Sequence, residues 1–182
     1  LLVELVFHGR GGQGAVTAAR LLVGAVHREG LEGQAFPHFG AERRGAPVRA
    51  YARISDRPIR IHEEVRRPDI VVVLDPGLPK LVDVTRGLKD NGVIVINSKT
   101  PVLFNGYRVY FVDATGIALE LGLIVAGWPV VNTSMLGALA KATGLVSIES
   151  VMWEIKEYWP GRIGEANARA AELAYSRVKK VE

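Results

Sequence analysis

The sequence of 182 residues contains no cysteine. That excludes disulfides, and it excludes iron–sulfur clusters or zinc held by thiolates of this chain. A redox metal centre working with this protein must therefore sit on another polypeptide. No apolar run approaches the roughly eighteen residues that a membrane-spanning helix needs, so no membrane is expected as a partner. The first residues have no secretory-signal layout, and a cytoplasmic protein is the expectation. Blocks of consecutive Lys and Arg are also missing, although the formal net charge is +4. Nucleic acid is accordingly not expected as a partner.

What is present fits one globular domain over residues 1–182, with 48% hydrophobic residues to fill its core. The opening "LLVELVF" reads as a buried strand, and residues 12–29 read as a helix with Val16, Ala19, Val23 and Val26 on one stripe, stopped by Gly30. A short second strand ends near Phe36, before Pro37. Residues 48–55 alternate strictly. Val48, Ala50, Ala52 and Ile54 share one face, and Arg49, Tyr51 and Arg53 share the other. Such a strand is expected to be antiparallel and either half-exposed or covered by a partner. "DIVVVLD" and "GVIVIN" are continuous apolar runs typical of strands buried on both faces, with a crossover helix expected over residues 77–86 between them. "YRVYFVDAT" supplies a further strand, followed by an apolar helix through Leu121. Helices over 133–143, 148–159 and 164–180 complete the chain. The expected fold is α/β: a Rossmann-like, doubly wound, mostly parallel sheet with C-terminal helices.

Between the first strand and helix, Gly9, Gly11 and Gly14 fall on the G-x-G-x-x-G spacing. In that context the glycines allow a tight turn, close approach of a phosphate and close helix–strand packing, and the helix N-terminus offers N–H groups to an anion. A nicotinamide dinucleotide, however, needs an acidic residue at the end of the second strand. Gln34, Ala35 and Phe36 stand there instead. Arg43 or Arg44 would have to serve a 2′-phosphate from beyond a proline-containing loop, so a stand-alone NAD(P)-binding oxidoreductase is the weakest alternative. Arg10 and Gln13 add side-chain donors within the loop. They either bond neighbouring loops or a partner chain, or they complete a phosphate site.

The set "GRGGQGAVTAARLL", "PHFGAERRGAPVRAYARIS", "PDIVVVLD", "GVIVINS" and "VNTSMLGAL" resembles the gamma subunit, or gamma domain, of the 2-oxoacid:ferredoxin oxidoreductases. Pyruvate:ferredoxin oxidoreductase is the best-known member. The likeness runs from Leu5 to about Asn167. It implies a non-redox subunit, without catalytic or metal-binding residues of its own, of a complex that converts a 2-oxoacid and coenzyme A to acyl-CoA and CO2 while reducing ferredoxin. Thiamine diphosphate, magnesium and iron–sulfur clusters are then expected on partner subunits of alpha, beta and delta type. Coenzyme A, whose pyrophosphate and 3′-phosphate suit a helix N-terminus and arginines, is the ligand expected at Gly9, Arg10, Gly11, Gly12, Gln13, Gly14, Arg43 and Arg44. A subunit-interface role for Arg43 and Arg44 stands beside that expectation, with Glu42 placed to pair with either. A ligand-free assembly subunit and the beta subunit of indolepyruvate:ferredoxin oxidoreductase remain open alternatives, and self-association is an expectation for the isolated chain.

Among the other polar residues, His8 reads as a packing or loop-bonding residue, and His38 as structural or facing an interface. Neither has a nucleophile beside it, so hydrolase chemistry has no support. Asp75, Asn97, Ser98 and Lys99 end strands at the edge where α/β sheets collect ligands, and Asp75, Asp113 and Thr115 are also placed to cap helices. Trp128, Trp153 and Trp159 serve either the core or a partner surface.

Overall fold

The computed structural model describes residues 1–40 and 43–182, so the expectation for Glu42 lies outside the described residues. The strands are β1 (Leu2–Arg10), β2 (Glu32–Pro37), β3 (Pro47–Ser55), β4 (Ile70–Val73), β5 (Val93–Asn97), β6 (Arg108–Val112), a small β7–β8 hairpin (Ile124–Val125, Trp128–Pro129), and β9 (Lys179–Lys180). The helices are α1 (Ala15–Arg28), α2 (Ala114–Glu120), α3 (Asn132–Thr143), α4 (Ile148–Tyr158) and α5 (Arg162–Arg177). The main sheet has the order β2-β3-β1-β4-β5-β6-β9. Strands β1, β4, β5 and β6 are parallel, and the central β4 and β5 carry the uniform Val/Ile runs of strands covered on both faces. Strand β3 runs antiparallel to both β1 and β2, in agreement with its alternating pattern.

The two faces are covered differently. Leu5, Phe7, Ala50, Ala52, Val72 and Val95 meet the apolar sides of the α-helices in one core. On the other face Val6, Tyr51, Val71, Val73, Ile94 and Ile96 pack under irregular chain carrying Val65, Leu78, Val84 and Leu88. The chain thus winds over both faces, but the crossover helix expected over residues 77–86 is only a 3-10 turn, Leu78–Lys80. Asp83 accepts hydrogen bonds from the Thr85 N–H at 3.0 Å and hydroxyl at 2.7 Å, which turns the chain locally instead.

The face of β3 expected to be half-exposed or partner-covered is mostly sealed by the chain itself. Arg49 is exposed, whereas Tyr51 and Arg53 are each 1% exposed. The Arg53 guanidinium donates to Glu4 Oε2 at 2.9 Å, Gln34 Oε1 at 3.0 Å and the Glu63 carbonyl at 2.6 Å. Gln34 in turn donates to the Ile61 carbonyl at 2.8 Å, binding the covering segment to the edge strand.

Helix α3 lies at the centre of the helical layer, with every residue from Asn132 to Ala140 buried. Gly137 is where it crosses α5, and a Cβ at that position would overlap the Ala171 carbonyl. Alanine is the better helix former by about 1 kcal/mol, but overpacking against a backbone carbonyl costs more. Gly137→Ala should therefore lower unfolding free energy by about 2 kcal/mol in a denaturant titration, opposite in sign to an exposed helical Gly→Ala change.

Candidate ligand site at the first strand–helix junction

β1 and β4 part company at their carboxyl ends. From β1 the chain leaves over the helical face, and from β4 over the opposite one, which makes this crevice the switch point where doubly wound sheets take ligands. Here it is closed by the protein's own side chains. Arg10 Nε lies 3.1 Å from Asp75 Oδ2, and Gln13 Nε2 donates to the same oxygen at 3.3 Å. Gln13 Oε1 accepts from the Arg10 N–H at 2.6 Å, and Arg10 Nη1 donates to the Gly45 carbonyl at 3.0 Å. Asp75 Oδ1 also takes the Gly77 N–H at 2.8 Å, so it holds the following turn as well as the loop. Arg10 and Gln13 thus both contact neighbouring loops of the same chain.

The glycines are used in the same way. Gly11 donates its N–H to the Ala46 carbonyl at 2.8 Å and accepts the Gly45 N–H at 3.0 Å. A Cβ on Gly11 would overlap the Arg43 carbonyl, so this glycine admits the protein's own residues 43–46 where a dinucleotide loop would admit pyrophosphate. Gly12 and Gly14 have φ of +94° and +78°, which start α1 only at Ala15. The space beside Gly14 is filled by Asn132 of α3, whose Nδ2 donates to the Gly14 carbonyl at 3.3 Å. Gly9 packs against Leu74 and Ala15. With β3 inserted between β1 and β2, and Gln34 engaged with Arg53, neither the geometry nor the chemistry of a dinucleotide ribose site is present among the described residues.

The start of α1 remains open. Ala15, Val16 and Thr17 make no N–H hydrogen bond to any described residue, and Gly14 supplies no capping side chain. A cleft of about 330 Å³ lies against this first turn, lined by Arg10, Gly12, Gly14 and, from the opposite wall, His38 and Arg49. Arg49 is exposed and directs Nη2 toward His38 Nε2 at 3.2 Å. His38 Nδ1 is 3.0 Å from both the Tyr51 hydroxyl and Glu64 Oε1, a geometry that fits the Nδ1–H tautomer. Three unpaired N–H groups at a helix start, with Arg10 and Arg49 lining the cleft, form a place for an oxyanion.

Arg43 is exposed and outside this cleft, and Arg44 reaches the β7–β8 hairpin. Its Nη2 donates to the Ala126 carbonyl at 2.7 Å and its guanidinium lies 4.9 Å from the Trp128 ring centre. Of the candidates from sequence, Arg10, Gly12 and Gly14 meet at the α1 cleft, while Gly9, Gly11, Gln13, Arg43 and Arg44 do not line it. Arg49 was missed as a site residue. It reads as a strand residue of alternating pattern, and only the strand order brings it opposite the α1 start.

Asn97 and Asp113 at the other strand ends are engaged structurally. Asn97 Nδ2 donates to the Leu74 carbonyl at 3.0 Å and to Thr115 Oγ1 at 2.9 Å, and its Oδ1 accepts from Ala114 N at 2.9 Å. Asp113 caps α2 through the Gly116 N–H at 2.8 Å. Trp159 packs onto the core, while Trp153 is half-exposed beneath the Arg28 guanidinium. Among the described residues no helix is long and apolar enough to cross a membrane.

A family model described as pyruvate ferredoxin/flavodoxin oxidoreductase matches residues 4–177. The chain is 54% identical over 180 residues to the pyruvate synthase subunit PorC of Methanothermobacter thermautotrophicus, covering 99% of this chain and 98% of that protein. It is 55% identical over 183 residues to the pyruvate/ketoisovalerate oxidoreductases common subunit gamma of Thermococcus kodakarensis, covering 97% of each. Among solved structures, the pyruvate oxidoreductase subunit PORC of Thermotoga maritima superposes with a TM-score of 0.84 at 37% identity, over 100% of this chain and 99% of that one.

Proposed function

Because the chain belongs to the pyruvate ferredoxin/flavodoxin oxidoreductase family, we propose that it is the gamma subunit of a 2-oxoacid:ferredoxin oxidoreductase and that its α1 cleft helps to place coenzyme A. The complex oxidises a 2-oxoacid, pyruvate in the first instance, to acyl-CoA and CO2 and passes the electrons to ferredoxin. The observation that carries the ligand reading is the unpaired first turn of α1 beside Arg10 and Arg49. A phosphate of coenzyme A accepts from those N–H groups and from Arg49, and the subunit contributes positioning rather than bond making. Gly12 and Gly14 shape the turn, and Arg43, exposed at the edge of the same loop, is available to a second phosphate. With no cysteine in its sequence the chain offers no thiolate to an iron–sulfur cluster. Thiamine diphosphate, magnesium and the clusters are assigned to partner subunits of alpha, beta and delta type.

The second reading is a ligand-free assembly subunit, favoured by the closure of the Gly9–Gly14 loop on residues 43–46. One substitution separates the two. Thr17→Glu places a carboxylate at the third helical position, where it favours α1 itself but competes for the anion site. In the assembled complex we expect the KM for coenzyme A to rise about tenfold or more, with the KM for the 2-oxoacid unchanged. Normal assembly with an unaltered coenzyme A KM would reject the ligand reading and leave the assembly role. Gly11 is unsuited to this test, because any side chain there displaces the Arg43–Ala46 backbone.

A further inference from the structure

The sheet face without α-helices holds a second cleft, of about 950 Å³. It meets the α1 cleft only at a shared rim that includes His38, Gly40 and Arg49. Val6, Val65, Leu78 and Val82 give it an apolar lining. His8, at the carboxyl end of β1, is 7% exposed and lines it too. No described residue makes a hydrogen bond to the His8 imidazole, although each ring nitrogen has a donor or acceptor to satisfy. Of the three arginines at this cleft, Arg49 turns to His38 and the other two are free of partners among the described residues. Arg66 and Arg86 line it, are exposed, and make no side-chain hydrogen bond or ion pair with a described residue. The acids are already engaged, Glu64 with His38 at 3.0 Å and Asp83 with Thr85 at 2.7 Å. The cleft therefore presents an imidazole and two guanidinium groups, without partners among the described residues, around an apolar hollow. Its volume is that of a small-molecule site, which runs to roughly 300–1,000 Å³.

We propose that this cleft binds a small organic oxyanion with an apolar body. Arg66 and Arg86 meet the carboxylate or phosphate, Val6, Val65 and Leu78 receive the body, and His8 makes a neutral hydrogen bond to a polar group on it. The geometry suits an anion because three arginines, Arg49, Arg66 and Arg86, line the cleft against two carboxylates, Glu64 and Asp83, each of which already accepts a hydrogen bond from the chain. It suits an amphipathic one because a bare inorganic ion would leave the hydrophobic lining wet. The site is separate from the proposed coenzyme A cleft and does not depend on that assignment.

The test uses the full chain and three fluorescent probes of one ring system: 2-naphthoate, 2-naphthyl phosphate and the neutral 2-naphthalenemethanol. We expect one or both anions to bind at least about tenfold more tightly than the alcohol, and the preferred anion identifies the head group. Arg66→Gln combined with Arg86→Gln, two exposed changes that leave the fold intact, should weaken the anion about tenfold or more and leave the alcohol unaffected. Binding should move the His8 ring resonances in NMR spectra and leave those of His27 in place. Thr17→Glu should not alter naphthalene binding, so failure here and failure of the coenzyme A reading are told apart. Equal affinity for anions and alcohol, no effect of the double arginine variant, or unmoved His8 resonances would overturn the proposal. So would anion binding that disappears when the chain is assembled with its partner subunits, since the cleft would then be a subunit contact.

Discussion

Replacing Arg53 with methionine is expected to lower the unfolding free energy by about 4 kcal/mol, the range for breaking one partner out of a buried ion pair. The side chain is 2% exposed and its partner Glu4 is 18% exposed, so little water is available to replace the lost contacts. Three acceptors on three separate segments would lose their donor at once: the Glu4 carboxylate on β1, Gln34 on β2 and the Glu63 carbonyl of the covering loop. Methionine fills the volume but offers no N–H. Arg53→Lys keeps the charge, yet one ammonium cannot reproduce the forked geometry, and it should recover less than half of the loss. Denaturant unfolding of the three proteins checks this. A methionine variant within about 1 kcal/mol of the parent would mean that the network contributes no more than an exposed pair. Loosening of the segment around Ile61 and Glu63, read as faster amide exchange there, should accompany the loss.

Acid should weaken the fold through His8. Burial holds its pKa at about 4, below the ordinary 6.5, with Arg49 pushing in the same direction and Asp83 opposing. The sign follows from linkage. Above pH 6.5 the imidazole is neutral in folded and unfolded chains and contributes no pH dependence. As the pH falls from 6.5 toward 4 the unfolded chain takes up a proton that the folded chain refuses, and stability declines by about 3 kcal/mol over that window. Below pH 4 both states are protonated and this loss stops growing. His8→Gln removes the titrating group. The change in unfolding free energy between pH 7 and pH 4 should therefore be about 3 kcal/mol smaller in the variant than in the parent, with carboxylate contributions cancelling in the comparison. Identical pH dependence in the two proteins would show that His8 protonates without penalty. The expectation from sequence that His8 is a packing residue agrees with its burial, but not with its place at an open cleft and without a partner.

The parallel sheet was legible because β4 and β5 are uninterrupted Val/Ile runs, and strands apolar on every residue must be covered on both faces. The antiparallel β3 was legible for the opposite reason, its strict alternation. What covers the Arg49-Tyr51-Arg53 face was not legible. Residues 57–67 have no periodicity, and nothing in their composition shows that the Glu63 carbonyl turns onto Arg53. The irregular second layer was missed for a related reason. Apolar residues over 78–88 carry the right content for a helix, but the Asp83–Thr85 turn diverts the backbone.

The glycine loop shows most clearly which properties belong to each level. By itself the sequence determined that a strand, a glycine turn and a helix begin the chain, that no acid stands where a nicotinamide ribose needs one, and that no thiolate is available to a metal cluster. Those are properties of residue type and spacing, which survive in any fold. Only the tertiary structure decided what approaches Gly11, because that depends on residues some thirty positions away, just before β3. The spacing that would admit a phosphate admits a peptide backbone equally well, since both need a position without a Cβ. The anion-ready end of α1 and the arginine facing it from β3 are likewise products of strand order, and no local pattern records strand order.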